Sequence, residues 1–192
     1  MTTATSTARG NVGSTTWLKN YYFTRAALSL VWVAAVFGLA DGPMAVVAAL
    51  LLIYPAWDAF ANLVDAQRNG GLRGNPTQTF NAAVSSVTTI AVAIALSQSM
   101  NAVLGVFGVW AALSGLLQLA TGVRRWKSYG AQWPMVLSGI QSTGAGVMFM
   151  IQSNAPEVPH ITAVAPYAAF GAFYFLISAL WLTISDARRH RK

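Results

Sequence analysis

The sequence contains no cysteine. That excludes disulfides, thiolate nucleophiles and Cys-ligated metal. Acids are scarce, with five Asp and Glu in 192 residues, and there are two His. So few carboxylates and imidazoles leave little from which to build a metal site or a general acid–base pair. No catalytic residue, cofactor or metal ligand is therefore expected. Charge of either sign makes up only 9% of the chain, against about 25% in a soluble domain. That is too little to cover a water-facing surface.

What the chain has instead is apolar sequence, 55% of its residues, gathered in long blocks. Lipid is the solvent such blocks suit. The net charge of +7 does not point to nucleic acid, because the Lys and Arg sit in short clusters beside the apolar blocks. No basic face is formed of the kind that tracks phosphates.

Six blocks are found, running from Tyr22 to Ala40, Met44 to Val64, Phe80 to Ser97, Ala102 to Val123, Trp133 to Ile151 and Thr162 to Ile184. Each is near the roughly 20 residues a helix needs to cross about 30 Å of hydrocarbon. None alternates as a barrel strand does, so the fold class is an all-α membrane protein. Asp41-Gly42-Pro43 makes the first turn, with Pro43 at the first helical position. Residues 1–20, rich in Ser, Thr, Ala and Gly at the start, are expected to be a disordered tail. Residues 188–192 form a basic tail.

Charge placement sets the orientation. With the N-terminus inside, all twelve Lys and Arg fall on the inner side: Arg9, Lys19, Arg25, Arg68, Arg73, Arg124, Arg125, Lys127, Arg188, Arg189, Arg191 and Lys192. The outer turns hold only Asp41, Glu157 and His160 as ionisable groups. This is the positive-inside pattern for six spans with both termini cytoplasmic, in a bacterial inner membrane. The competing reading of the first block is a cleaved signal peptide ending at Gly38-Leu39-Ala40.

The spans read as three helical hairpins, 21–66, 79–124 and 131–187. Ala45 through Arg68 aligns without a gap on Ala102 through Arg125, a shift of 57 residues. The ends rhyme as Asp65-Ala66-Gln67-Arg68, Gly122-Val123-Arg124-Arg125 and Asp186-Ala187-Arg188-Arg189. Such repeats are parallel in topology, unlike the inverted pairs of many secondary transporters.

The fourth span reads Gly108-Val109-Trp110-Ala111-Ala112-Leu113-Ser114-Gly115-Leu116-Leu117-Gln118-Leu119. After the basic turn, the fifth opens Trp133-Pro134-Met135-Val136-Leu137-Ser138-Gly139-Ile140. This text resembles the HdeD-like acid-resistance membrane proteins, whose repeated domain has no assigned chemistry. The three-hairpin layout extends the resemblance over most of the chain. The first hairpin departs from it, since Asp58 falls where Gly115 sits in the second repeat. The resemblance implies a six-helix inner-membrane protein linked to stress tolerance, with no catalytic residues to carry over.

Asp58 lies about six residues from the inner end of its span, so roughly 9 Å deep. Charges at such positions are paired or functional. Arg25 enters the first span from the same side, and an Arg25–Asp58 ion pair is expected to tie the first hairpin together. Gln118 and Gln141 lie well inside their spans, while Asn62 and Asn81 lie near inner ends. Interhelical hydrogen bonds are the simplest account of all four. The sharper reading is a polar path lined by Asp58, Gln118 and Gln141, as in a small transporter or channel. Small residues such as Ser138, Ser142 and Gly146 share one helix face and let helices approach. Packing within one chain and homo-oligomerisation both use such faces. Pro55 should kink the second span.

Trp17, Tyr21, Tyr22, Trp126, Tyr129, Trp133 and Trp181 form an inner interfacial belt. The basic clusters beside them suit anionic lipid headgroups. His160, near Glu157, has the chemistry of an external pH sensor, though solvation alone explains a lone exposed His. Two functions follow as expectations. One is a non-enzymatic membrane component acting in stress tolerance through lipid or protein contacts. The other is the small transporter or channel.

Overall fold

A computed structural model describes residues 3–125 and 133–189. The basic turn with Trp126, Lys127 and Tyr129, and the end with Arg191 and Lys192, lie outside the described residues. So do the side chains of Arg9, Arg124, Arg125 and Arg189. The described elements are α1 (Thr3–Leu39), α2 (Met44–Arg68), α3 (Gly71–Gly74), α4 (Pro76–Leu96), α5 (Met100–Arg125), α6 (Trp133–Gln152) and α7 (Ala165–Arg189). A short 3₁₀ turn, Ile161–Ala163, precedes α7. No strand occurs among the described residues.

Five stretches are long and apolar enough to cross a membrane: Thr16–Leu39, Met44–Arg68, Pro76–Leu96, Met100–Ala120 and Ile161–Arg188. Their exposed side chains are large and apolar, among them Val31, Phe37, Val87, Ile90 and Ile184. That is the surface a protein presents to hydrocarbon rather than to water. α6 has 20 residues.

Helix bounds follow local chemistry. Ser99 Oγ accepts from the Ala102 backbone N–H at 3.0 Å, an N-cap that starts α5 after a tight turn. Pro43 sits one residue before α2 as its N-cap, rather than at the first helical position. Gly70 and Gly71 take φ of 105° and 79°, which glycine alone adopts freely, and so turn the chain from α2 into α3. α1 begins at Thr3 and so takes in the stretch that composition assigns to a disordered tail. No proline precedes Pro43 to stop it.

α2 runs through Pro55 without a break. Proline has no N–H, so the Leu51 carbonyl loses its helical donor. One residue earlier, Leu50 O accepts from Trp32 Nε1 at 2.8 Å. The indole thus adds a donor in the turn that proline weakens, as lipid-buried backbone requires.

The chain divides into two compact units, one of residues 1–31 with 168–192 and the other of 32–167. In the second unit the most extensive packing is α5 on α6, then α2 on α4, then α4 on α5. Both leading pairs join helices across a basic turn, whereas the expected hairpin 79–124 joins α4 to α5. Glycine explains α5–α6. A Cβ on Gly146 would lie 2.6 Å from Gly108 O, and one on Gly139 would lie 2.8 Å from Gly115 O. Backbones in such contact tolerate only hydrogen at those positions. Gly108 with Gly146 and Gly115 with Gly139 keep one antiparallel register.

A shift of 57 residues carries α4 onto α6 as well as α2 onto α5. Asp58 and Asp65 then fall on Gly115 and Gly122. The first unit pairs α1 with α7. There Lys19 Nζ meets Asp186 Oδ2 at 2.7 Å, and Tyr22 stacks on Phe175 at 6.0 Å, so α1 and α7 run antiparallel. By the shared chain ends Asp186 matches Asp65, and Lys19 stands to Asp186 as Gln78 stands to Asp65. Ala179 takes the place of Asp58 and Gly115. Among the described residues, α1 with α7 is thus an antiparallel pair beside α2 with α4 and α5 with α6.

Candidate functional site

α2 carries Asp58, Asn62 and Asp65, and its C-cap is Asn69, at spacings of four, three and four. Such spacing puts all four on one helix face. That face meets α4, and the polar side chains close on one another there. Asn62 Nδ2 donates to Asp58 Oδ2 at 2.9 Å and to the Asp58 carbonyl at 2.8 Å. Ser85 Oγ, from α4, donates to the same Oδ2 at 2.7 Å. Trp110 Nε1, from α5, donates to Ser85 Oγ at 3.0 Å. Because the indole fills an acceptor site on Ser85, the hydroxyl proton is directed at Asp58. Three helices thus converge on one carboxylate oxygen. The hydroxyl donor is 1% exposed and the amide donor 5%.

Two turns on, about 10 Å along the axis, Asp65 repeats the arrangement. It is 4% exposed. Asn69 Nδ2 donates to its Oδ1 at 2.5 Å and Gln78 Nε2 to its Oδ2 at 2.9 Å. Asn81 Nδ2 donates to Gln78 Oε1 at 3.3 Å, extending the chain of bonds along α4. The α2–α4 seam is therefore a polar ladder with a carboxylate at each rung. Hydrogen bonds from amides and hydroxyls offset the cost of holding such groups away from water.

The residues expected to line one path divide between two seams. Asp58 bonds across α2–α4. Gln118 Oε1 accepts from Ser138 Oγ at 3.3 Å, across α5–α6. Gln141 lies half-buried on α6, where Ser142 Oγ reaches the Tyr167 hydroxyl at 3.4 Å. Asn62 was expected to bond between helices, yet its amide holds Asp58 within its own helix. The four-residue spacing allows that bond without any partner helix.

Arg25 lies in the first unit and is 8% exposed. Its guanidinium carbon sits 4.3 Å from the Phe175 ring centroid, and Nη1 donates to the Tyr21 hydroxyl at 3.1 Å. Aromatic faces are favourable neighbours for a buried guanidinium. Asp58 belongs to the second unit. His160 was expected near Glu157. Its Nε2 lies 3.4 Å from Asp41 Oδ1, with that carboxylate fully exposed, and its Nδ1 lies 3.0 Å from Thr162 Oγ1.

Asp65, Ser85 and Trp110 were not singled out as a site from sequence. Asp65 was read as a loop residue. The signal available was its separation of seven from Asp58, two turns on the same face. Among the described residues no group of three or more His, Asp or Glu is placed to hold a metal ion. Among the hydrogen-bond donors to the two carboxylates are the amides of Asn62, Asn69 and Gln78 and the hydroxyl of Ser85, which hold a carboxylate in place.

Residues 80–151, covering most of α4 with α5 and α6, match the model of DUF308, a short repeat of unknown function. Neither the curated proteins nor the solved structures include a match. The apolar helices and the repeat match fit a multi-pass membrane protein of unknown function.

Proposed function

We propose that the chain is a six-span protein of the bacterial inner membrane, with both termini cytoplasmic, that serves stress or acid tolerance in the HdeD-like manner without catalysing a reaction. The observation that carries this reading is how the intramembrane polar groups are used. Asp58, Asn62, Asp65, Gln78 and Ser85 hydrogen-bond to one another within a helix seam. Groups spent on each other in this way hold helices together. α6, 20 residues long, reaches about 30 Å and supplies the sixth span. The Lys19–Asp186 bridge joins the beginning of the apolar part of α1 to the end of α7. That favours an even number of crossings. The basic turns then face the cytoplasm and its anionic lipid headgroups. A strain lacking the gene, challenged with acid and other envelope stresses, tests the role. Loss of survival restored by the wild-type gene supports it; survival equal to the parent under every stress removes it.

The second reading, a small transporter or channel, draws on the alignment of Asp58 and Asp65 along one seam. Proton or solute flux in liposomes that disappears with Asp58→Asn would favour it over the first.

A further inference from the structure

A groove of about 780 Å³ opens on the flank of the second unit between α4 and α5. Its walls are small or aliphatic, with Ala83, Val87 and Ala91 on one side and Ala102, Val106 and Val109 on the other. Val87 is 65% exposed and Val109 50%, so the groove opens sideways. Thr88 and Trp110 also line it, but their polar hydrogens turn elsewhere, to Val84 O and Ser85 Oγ. The inner surface is accordingly apolar. Polar groups enter at one end only, where α6 finishes in Ser153 and Asn154.

The dimensions suit one leaflet. On α5 the lining runs from Ala102, at the polar end, to Leu113, about 17 Å of helix, against about 15 Å for half of the hydrocarbon core. Charge then selects the headgroup. Asn101 Nδ2 donates to Ala155 O at 3.1 Å and Glu157 O at 3.3 Å. This pins the Glu157 backbone beside Ala102, at the polar end of the groove. Neither the 97–101 turn nor the 153–160 loop contains Lys or Arg. The exposed Glu157 carboxylate, with no Lys or Arg in either segment and His160 turned to Asp41, matches an ammonium headgroup and repels an anionic one.

We propose that this groove binds an acyl chain of a phospholipid whose headgroup is zwitterionic and carries an ammonium, of the phosphatidylethanolamine class. The proposal rests on the chain crossing a bilayer. It goes beyond the role given above, because it names a lipid and places it at the end of the protein opposite the basic turns.

The test uses the full chain in bilayers of equal phosphatidylethanolamine and phosphatidylglycerol. Trace spin-labelled lipid of each class is added, and electron paramagnetic resonance reads the immobilised fraction. Relative to Glu157→Gln, the wild-type chain should favour phosphatidylethanolamine over phosphatidylglycerol by about fivefold, the scale of one charge contact at a membrane surface, since the basic turns hold anionic lipid equally in both. Ala91→Phe, which fills the groove, should remove the immobilised lipid. Ile90→Phe, on the outward face of the same helix, should not. Glu157→Gln lies in an exposed loop and leaves the helices intact, and it should remove that margin while keeping the lipid. A ratio of the two lipids that Glu157→Gln leaves unchanged overturns the proposal even where Ala91→Phe fails to fold. Recovery of the chain outside the membrane fraction would overturn the membrane reading itself, before any lipid is scored.

Discussion

Gly115 and Gly139 face each other across α5 and α6 so closely that a Cβ on Gly115 would lie 2.7 Å from the Gly139 carbonyl oxygen and 2.5 Å from the Thr143 nitrogen. Nothing flexible is available to give way, since both neighbours are backbone. Gly115→Ala should cost about 1–3 kcal/mol by overpacking, outweighing the gain of about 1 kcal/mol from better helix propensity. Gly144→Ala, on α6, has no atom within 4 Å of the added carbon and should be neutral or stabilising. Thermal unfolding in detergent micelles reads both. Equal behaviour of the two variants would contradict the close approach.

Ser85 links the Trp110 indole to the Asp58 carboxylate. Ser85→Ala removes a donor from the half-buried Asp58 and an acceptor from the buried Trp110. A loss of about 1–3 kcal/mol is expected. Asp58→Ala with Ser85→Ala should cost less than the two single losses added, because residues in one network couple. Alanine already occupies the matching position, Ala179, in the third helix pair. Strict additivity in chemical unfolding would show that the bond is not formed in the membrane.

The expected Arg25–Asp58 pair is measured by a double-mutant cycle with Arg25→Met and Asp58→Asn. A coupling above about 0.5 kcal/mol supports the pair, and none removes it. Arg25→Lys is a separate probe of Phe175. It keeps the charge but loses the planar contact, so a loss of about 0.5–2 kcal/mol is expected.

Crossing number is read by reporter fusions. A reporter active only outside the cytoplasm should be silent after Arg73 and after Lys192, and active after Ser99. Activity at the chain's end would mean an odd number of spans.

Much of this architecture is legible in the residues. Continuous apolar blocks predict helices at Met44 and Trp133, where the structure starts α2 and α6. Asp65 was harder to place, because a charge near a block's edge reads as the exit into water. The helix in fact continues to Arg68, and Gln78 supplies the polar neighbour that allows burial. Partner choice was harder still. Gly115 and Gly139 appear in one motif, but nothing in linear spacing says that α5 packs hardest on α6 rather than on α4. That choice depends on backbone approach, which glycine permits and sequence alone does not orient. Gln118 and Asp58 look alike as intramembrane polar residues, and only the pairing of helices sends them to different seams.

The joining of α1 to α7 has a bearing on biogenesis. As the ribosome delivers the chain, the first helix enters the bilayer long before its mate is synthesised. The two other pairs can zip as they emerge, each from neighbouring sequence, whereas α1 must wait for α7. Until α7 arrives, the guanidinium of Arg25 lacks the Phe175 ring it rests on.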